Sequence, residues 1–216
     1  RSVGSVWKYS NVSVIGTDVI NATITVDACY QAVLAEFDAD AATDENDNQT
    51  LQAFFAPKIA PDQSLGSSNR NGYIQFTIRF WKNGWTNPAI LNGINYSHYD
   101  IDGVHGNQGY WFRETGMVKQ VSSGGIVVSA NSPTELTSYS CVTGSDHWIG
   151  FAGTTCNRNN FSRYAQVGAN FKYPILQSSV TIRMGYDYQN LPAAGTYGDG
   201  AGPRLYASKF ECFNFV

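Results

Sequence analysis

The chain has 216 residues and a formal net charge of −3, and only 14% of its residues are charged, against roughly 25% in an ordinary soluble domain. Lys8, Lys58, Lys82, Lys119, Lys172 and Lys209 are scattered singly, which excludes the basic stripe of a nucleic-acid partner. No apolar run of about 18 residues is present that could insert into a bilayer as a helix, and 21 Gly, 13 Tyr and 12 Phe with little charge read as an extracellular all-β protein.

Taken in order, Ser5 to Val14 reads as a first strand, with Val6, Val12 and Val14 on one phase and Trp7 and Tyr9 on the other. Gly16-Thr17-Asp18 makes a turn. Ile20, Ala22, Ile24, Val26 and Ala28 then alternate with Asn21, Thr23, Thr25 and Asp27, which predicts a strand with one buried and one wet face. Glu36 to Asn48 carries Glu36, Asp38, Asp40, Asp44, Glu45 and Asp47 among small residues. It reads as a loop, either solvated or ordered by calcium, since such carboxylates repel one another unless water or a cation separates them.

A Gly/Ser/Asn-rich turn at 66–72 leads into a second alternating strand, with Ile74, Phe76, Ile78 and Phe80 inside and Gln75, Thr77 and Arg79 outside. Trp81 and Trp85 flank the turn Lys82-Asn83-Gly84. They and Trp111 are candidates for stacking on sugar rings, as is Trp148; closure of the end of the core is the alternative for the pair at the turn. Ile94 to Asp102 is the next strand, and Tyr110 to Glu114 opens another. Further strands are expected at Gly125–Ala130, Glu135–Val142, His147–Ala152, Arg163–Tyr173, Val180–Tyr188 and Arg204–Phe215. No helix longer than two turns, no linker and no repeat is evident. About ten to twelve strands over residues 1–216 predict a single β-sandwich domain, jelly-roll-like in plan.

The cysteines are Cys29, Cys141, Cys156 and Cys212, with no CxxC pair. An even count without metal spacing favours disulfides in an oxidising compartment. Of the three pairings we expect Cys141 with Cys156 and Cys29 with Cys212, each contributing on the order of 3 to 5 kcal/mol. Sequons stand at Asn11, Asn21, Asn48, Asn95 and Asn160, candidates for glycosylation of an exported chain. Numbering from Arg1 without a signal peptide suggests a processed mature chain.

Chemistry concentrates at His98-Tyr99-Asp100-Ile101-Asp102-Gly103. Strand alternation sends His98, Asp100 and Asp102 to one face, and Glu114 is the nearest acid downstream. Hard oxygen donors from Asp100, Asp102 and Glu114 suit calcium; including His98 and His105 shifts the preference to zinc, manganese or copper. Carboxylates that merely cap a turn are the alternative. There is no GxSxG elbow, HExxH, P-loop or dinucleotide fingerprint, so no enzymatic activity is expected.

Trp7-Lys8-Tyr9-Ser10-Asn11-Val12, Gly72-Tyr73-Ile74-Gln75-Phe76, Asp100-Ile101-Asp102-Gly103 followed by Glu114, and the closing Arg204 to Cys212 together resemble uncharacterised secreted bacterial β-sandwich domains of cell-surface and adhesin-like proteins. The resemblance implies an exported, surface-displayed domain without catalytic chemistry, and it carries over Asp100, Asp102, Gly103 and Glu114. The expected function is that of a structural or adhesive surface protein, such as a filament subunit that self-associates or meets other surface proteins. A carbohydrate-binding module with a polysaccharide ligand is the alternative.

Overall fold

The structure is a computed structural model that describes residues 2–38, 55–62, 64–65, 71–99, 101, 103–105, 111–121, 126–130, 136–153, 169–174, 176–189 and 204–211. Among these residues every regular element beyond a single turn is a strand. The strands are β1 (Val6–Ile15), β2 (Asp18–Tyr30), β3 (Ala32–Glu36), β4 (Lys58–Pro61), β5 (Asn71–Lys82), β6 (Asn87–Pro88), β7 (Ile94–Tyr99) and β8 (Gly103–His105). They continue with β9 (Trp111–Lys119), β10 (Val127–Ala130), β11 (Leu136–Thr143), β12 (Asp146–Gly153), β13 (Ala169–Tyr173), β14 (Ser179–Gln189), β15 (Arg204–Leu205) and β16 (Ala207–Glu211).

The fold is all-β and sandwich-like. A nine-stranded sheet runs β1-β2-β5-β14-β9-β12-β11, with β6 added to β5 and β8 to β9, and a four-stranded sheet runs β10-β13-β7-β16. All pairs are antiparallel, and three are nested: β9 with β12, β7 with β13, and β5 with β14. Successive nested pairs fall in alternate sheets, as they do when one long hairpin is rolled up on itself, so the jelly-roll-like plan holds. The strand count exceeds the expected ten to twelve because β6, β8 and β15 are very short and because a third sheet, β15-β4-β3, had not been foreseen.

The interior is built by the long alternating strands. Ile20, Ala22, Ile24 and Val26 of β2, Ile74, Phe76, Ile78 and Phe80 of β5, and Val180, Ile182, Met184 and Tyr186 of β14 are all buried. Register explains the agreement, since Ile24 faces Ile78 and Ile182 faces both Phe76 and Val118. Paired residues lie on the same side of a sheet, so a period-two pattern in each strand becomes one continuous apolar face.

One expectation is corrected here, and the buried phase of β1 is decided. The second face of β2 is not wet at its start: Asn21 and Thr23 are buried, because Trp81 covers them from β5 (its indole Nε1 donates to Thr23 Oγ1 at 3.0 Å). In β1 it is Trp7 and Tyr9 that pack on the core, whereas Val6, Val12 and Val14 are exposed. Trp7 stacks flat on Phe37 with ring centroids 3.4 Å apart, and Phe37 in turn meets Phe55. This aromatic chain joins the third sheet to the nine-stranded one.

The first acids of the expected acidic loop are structural. Glu36 ends β3 and pairs with Lys58 at 2.7 Å, and Asp38 accepts from the Tyr9 hydroxyl and from the Ala56 amide. Asp40, Asp44, Glu45 and Asp47 lie outside the described residues.

Candidate functional site

The outer face of the nine-stranded sheet carries polar and aromatic side chains arranged by register. At one end β5 turns through Asn83 and Gly84, both with positive φ (49° and 132°), the region that Asn tolerates and Gly favours. Asn83 fixes the turn: its Oδ1 accepts from the Val19 amide at 2.8 Å and its Nδ2 donates to Asp18 Oδ1 at 2.6 Å. Asp18 also pairs with Lys82 at 2.6 Å, and this ammonium, with Asn83, holds its carboxyl below the usual range.

Asn21 completes the clamp. Its amide nitrogen donates to the Gly84 carbonyl at 3.0 Å, and its oxygen accepts from the Asn11 amide at 2.9 Å. This sequon residue is therefore buried and bonded through both ends of its side chain. Asn11 and Asn95 stand in β1 and β7, while Asn48 and Asn160 lie outside the described residues.

The clamped turn presents two of the expected stacking residues. Trp81 and Trp85 are both half-buried, neither sealed in the core nor fully in water. Lys8 Nζ lies 5.1 Å from the centroid of the Trp85 ring, within cation–π range. Register puts Lys8 beside Thr23 and Thr23 beside Arg79, so two exposed cations flank Thr23 on the face that bears Trp81. Sequence reading placed Arg79 outside but missed its relation to Lys8, because no local pattern gives the registration of β1 on β2 and β5. Trp111 stands at the start of β9, opposite Gln189 and His105, away from this end of the sheet.

Farther along the same face Arg183 is buried. Its guanidinium carbon lies 3.6 Å from the Trp148 ring centroid and 4.0 Å from that of Tyr73. It donates to Gln75 Oε1 at 3.1 and 3.2 Å and to Thr143 Oγ1 at 3.0 Å. Burial lowers its affinity for the proton, and Tyr73, Cys141 and Asp146 act in the opposite sense. Trp148 is fully buried beneath this lock and is no surface platform.

The motif that begins at His98 occupies a different place, the interior. His98 is fully buried in β7, and neither ring nitrogen has a hydrogen-bond partner. Its ring is set edge-on to Tyr96 and Tyr206, with centroids 6.2 and 6.1 Å away. It lies over Gly116 of the facing sheet, where a Cβ would sit 2.5 Å from Nδ1. Burial depresses the imidazole pKa to about 3, so the ring is neutral at physiological pH.

Glu114 is also buried. It sits two residues before Gly116 and opposite Tyr186, which directs it to the same interior. The structure thus places His98 and Glu114 on the inner faces of opposing sheets. Asp100 and Asp102 lie outside the described residues, and among the described residues no three His, Cys, Asp or Glu side chains converge on a common point.

Of the four cysteines expected in disulfides, two are described. Cys29 and Cys141 are free thiols: Cys29 is exposed at the end of β2, and Cys141 Sγ lies 3.9 Å from Met117 Sδ on the outer face of the large sheet. Cys156 and Cys212 lie outside the described residues.

No family model matches the chain, and no curated protein matches it. Among solved structures it is similar to the N-terminal domain of the Streptococcus gordonii adhesin Sgo0707, with a TM-score of 0.53 and 13% sequence identity. The likeness covers 96% of this chain and 48% of that one, so the chain spans about half the length of the structure it matches. At that identity the likeness is one of fold: the two chains share a β-architecture.

Proposed function

We propose that the chain is a non-enzymatic adhesive domain displayed outside the cell, and that its outer sheet face makes the contact. The observation that carries this reading is the pair Trp81 and Trp85, half-exposed on a turn that Asn21 and Asn83 hold rigid through four hydrogen bonds. Preorganised aromatic side chains bind with little loss of conformational freedom, and aromatic residues anchor surface recognition. The fold likeness to an adhesin domain supports the same reading. Retention of the purified domain on immobilised glycans and matrix proteins tests it, and retention on neither would remove it.

A second reading, assembly into a filament, has its own support. The edge strand β1 exposes Val6 at 54%, Val12 at 41% and Val14 at 64%, and an edge with apolar side chains is a joint for strand addition. Light scattering that reports only monomers at millimolar concentration would dismiss it.

A cation clip also belongs to the proposal. Asp100, Asp102 and Glu114 would supply oxygen donors suited to calcium, with His98 as a neighbour rather than a ligand because its ring is committed to packing on Gly116.

A further inference from the structure

Lys8 and Arg79 are exposed, and among the described residues neither forms an ion pair. Other cations of the nine-stranded sheet are committed: Lys82, Arg113 and Lys119 each hold a carboxylate within 2.8 Å, and Arg183 is buried between two rings. In a chain with net charge −3, two exposed cations without a carboxylate partner in one cross-strand row call for an explanation. They are separated by two strand spacings, about 10 Å, with Thr23 between them.

The floor of the row is aromatic. Trp81 follows Arg79 by two residues and so shares its face, and its indole is pinned to Thr23; Trp85 lies beneath the Lys8 ammonium. Of the nearby carboxylates, Asp18 is paired with Lys82 and bonded to Asn83, and Asp27 is turned to Thr77 at 2.6 Å and Gln75 at 3.4 Å. The patch thus combines positive charge with stacking surface, and among the described residues no carboxylate is ion-paired to Lys8 or Arg79.

We propose that this row, Lys8, Arg79, Trp81 and Trp85, binds a carboxylated polysaccharide, with the indoles under the sugar rings and the two cations on uronate carboxylates. The assignment rests on the adhesive reading and names the ligand class for it. Sugar rings present C–H faces that stack on tryptophan, and guanidinium matches a carboxylate through two parallel hydrogen bonds.

Isothermal titration with an oligogalacturonate, its methyl ester, dextran sulfate and polyglutamate tests the assignment. Binding of the oligogalacturonate is expected, with the ester at least tenfold weaker. Lys8→Ala and Arg79→Gln should each weaken binding about tenfold, the usual worth of one charge-assisted contact. Trp85→Ala should weaken both sugars, and the melting temperature of all three variants should stay near that of the wild type.

Equal affinity for ester and acid, or for dextran sulfate or polyglutamate and the uronate, would overturn the proposal, as would indifference to Lys8 and Arg79. A domain that ignores all four probes yet is retained on neutral glycans or matrix proteins would overturn this ligand class alone. Retention on nothing would overturn the adhesive reading with it.

Discussion

His98 and Gly116 are fitted to each other across the sandwich: the imidazole occupies the space that a side chain at position 116 would fill, with Nδ1 2.5 Å from the place of its Cβ. Gly116→Ala is expected to cost about 1 to 3 kcal/mol by overpacking. On a His98→Ala background the same change should cost far less, because the space is then vacant. A urea-denaturation cycle measures the coupling, and additive costs would mean that the two residues do not meet.

The same burial makes stability depend on pH. An imidazole that titrates near 6.5 in the unfolded chain and near 3 when folded binds its proton more readily in the unfolded state. Its contribution is therefore intact above about pH 6.5 and is lost as pH falls toward 3, at up to about 1.4 kcal/mol per pH unit. Ordinary carboxylates titrate partly in this range in any variant. The expected result is a shallower decline for His98→Leu than for the wild type between pH 6.5 and 4, read by denaturation midpoints; parallel curves would contradict it.

Arg183 should act as a lock on the outer face. Arg183→Ala removes two ring contacts and the hydrogen bonds to Gln75 and Thr143, an expected loss of about 3 kcal/mol. It also uncovers Trp148, so the tryptophan emission should move to the red. Arg183→Lys retains the charge but not the planar fork and should recover less than half of the loss.

A calcium clip at Asp100, Asp102 and Glu114 would make stability depend on the ion by mass action. Chelation with EGTA should lower the melting temperature by several degrees, and Asp102→Asn should remove that response. An unchanged melting curve together with no metal by elemental analysis would discard the clip.

How much of this was legible beforehand follows from the range of each interaction. The alternation in β2, β5 and β14 is local, and those strands and their buried sets were readable from it. The third sheet was not, since Ala32 to Glu36 and Lys58 to Pro61 are short segments whose pairing depends on residues far apart in sequence. His98 reads as a ligand in its own strand, and only Gly116 from the facing sheet shows it to be a packing residue. Arg183 lies on the outward phase of an alternating strand, and it is buried because Tyr73 and Trp148 arrive from β5 and β12. Trp81 and Trp85 were found because a turn between two tryptophans is a local pattern, whereas the Lys8–Thr23–Arg79 row exists only through register.

The central claim is adhesion through the outer face at the Trp81–Trp85 turn. Its most direct measurement is the retention under flow of beads coated with the domain on immobilised glycan and matrix-protein surfaces, comparing the wild type with Trp81→Ala and Trp85→Ala variants of verified fold. The expected result is firm retention of the wild type and loss of most of it in both variants. Retention that is absent in the wild type, or undiminished in the variants, would contradict the account.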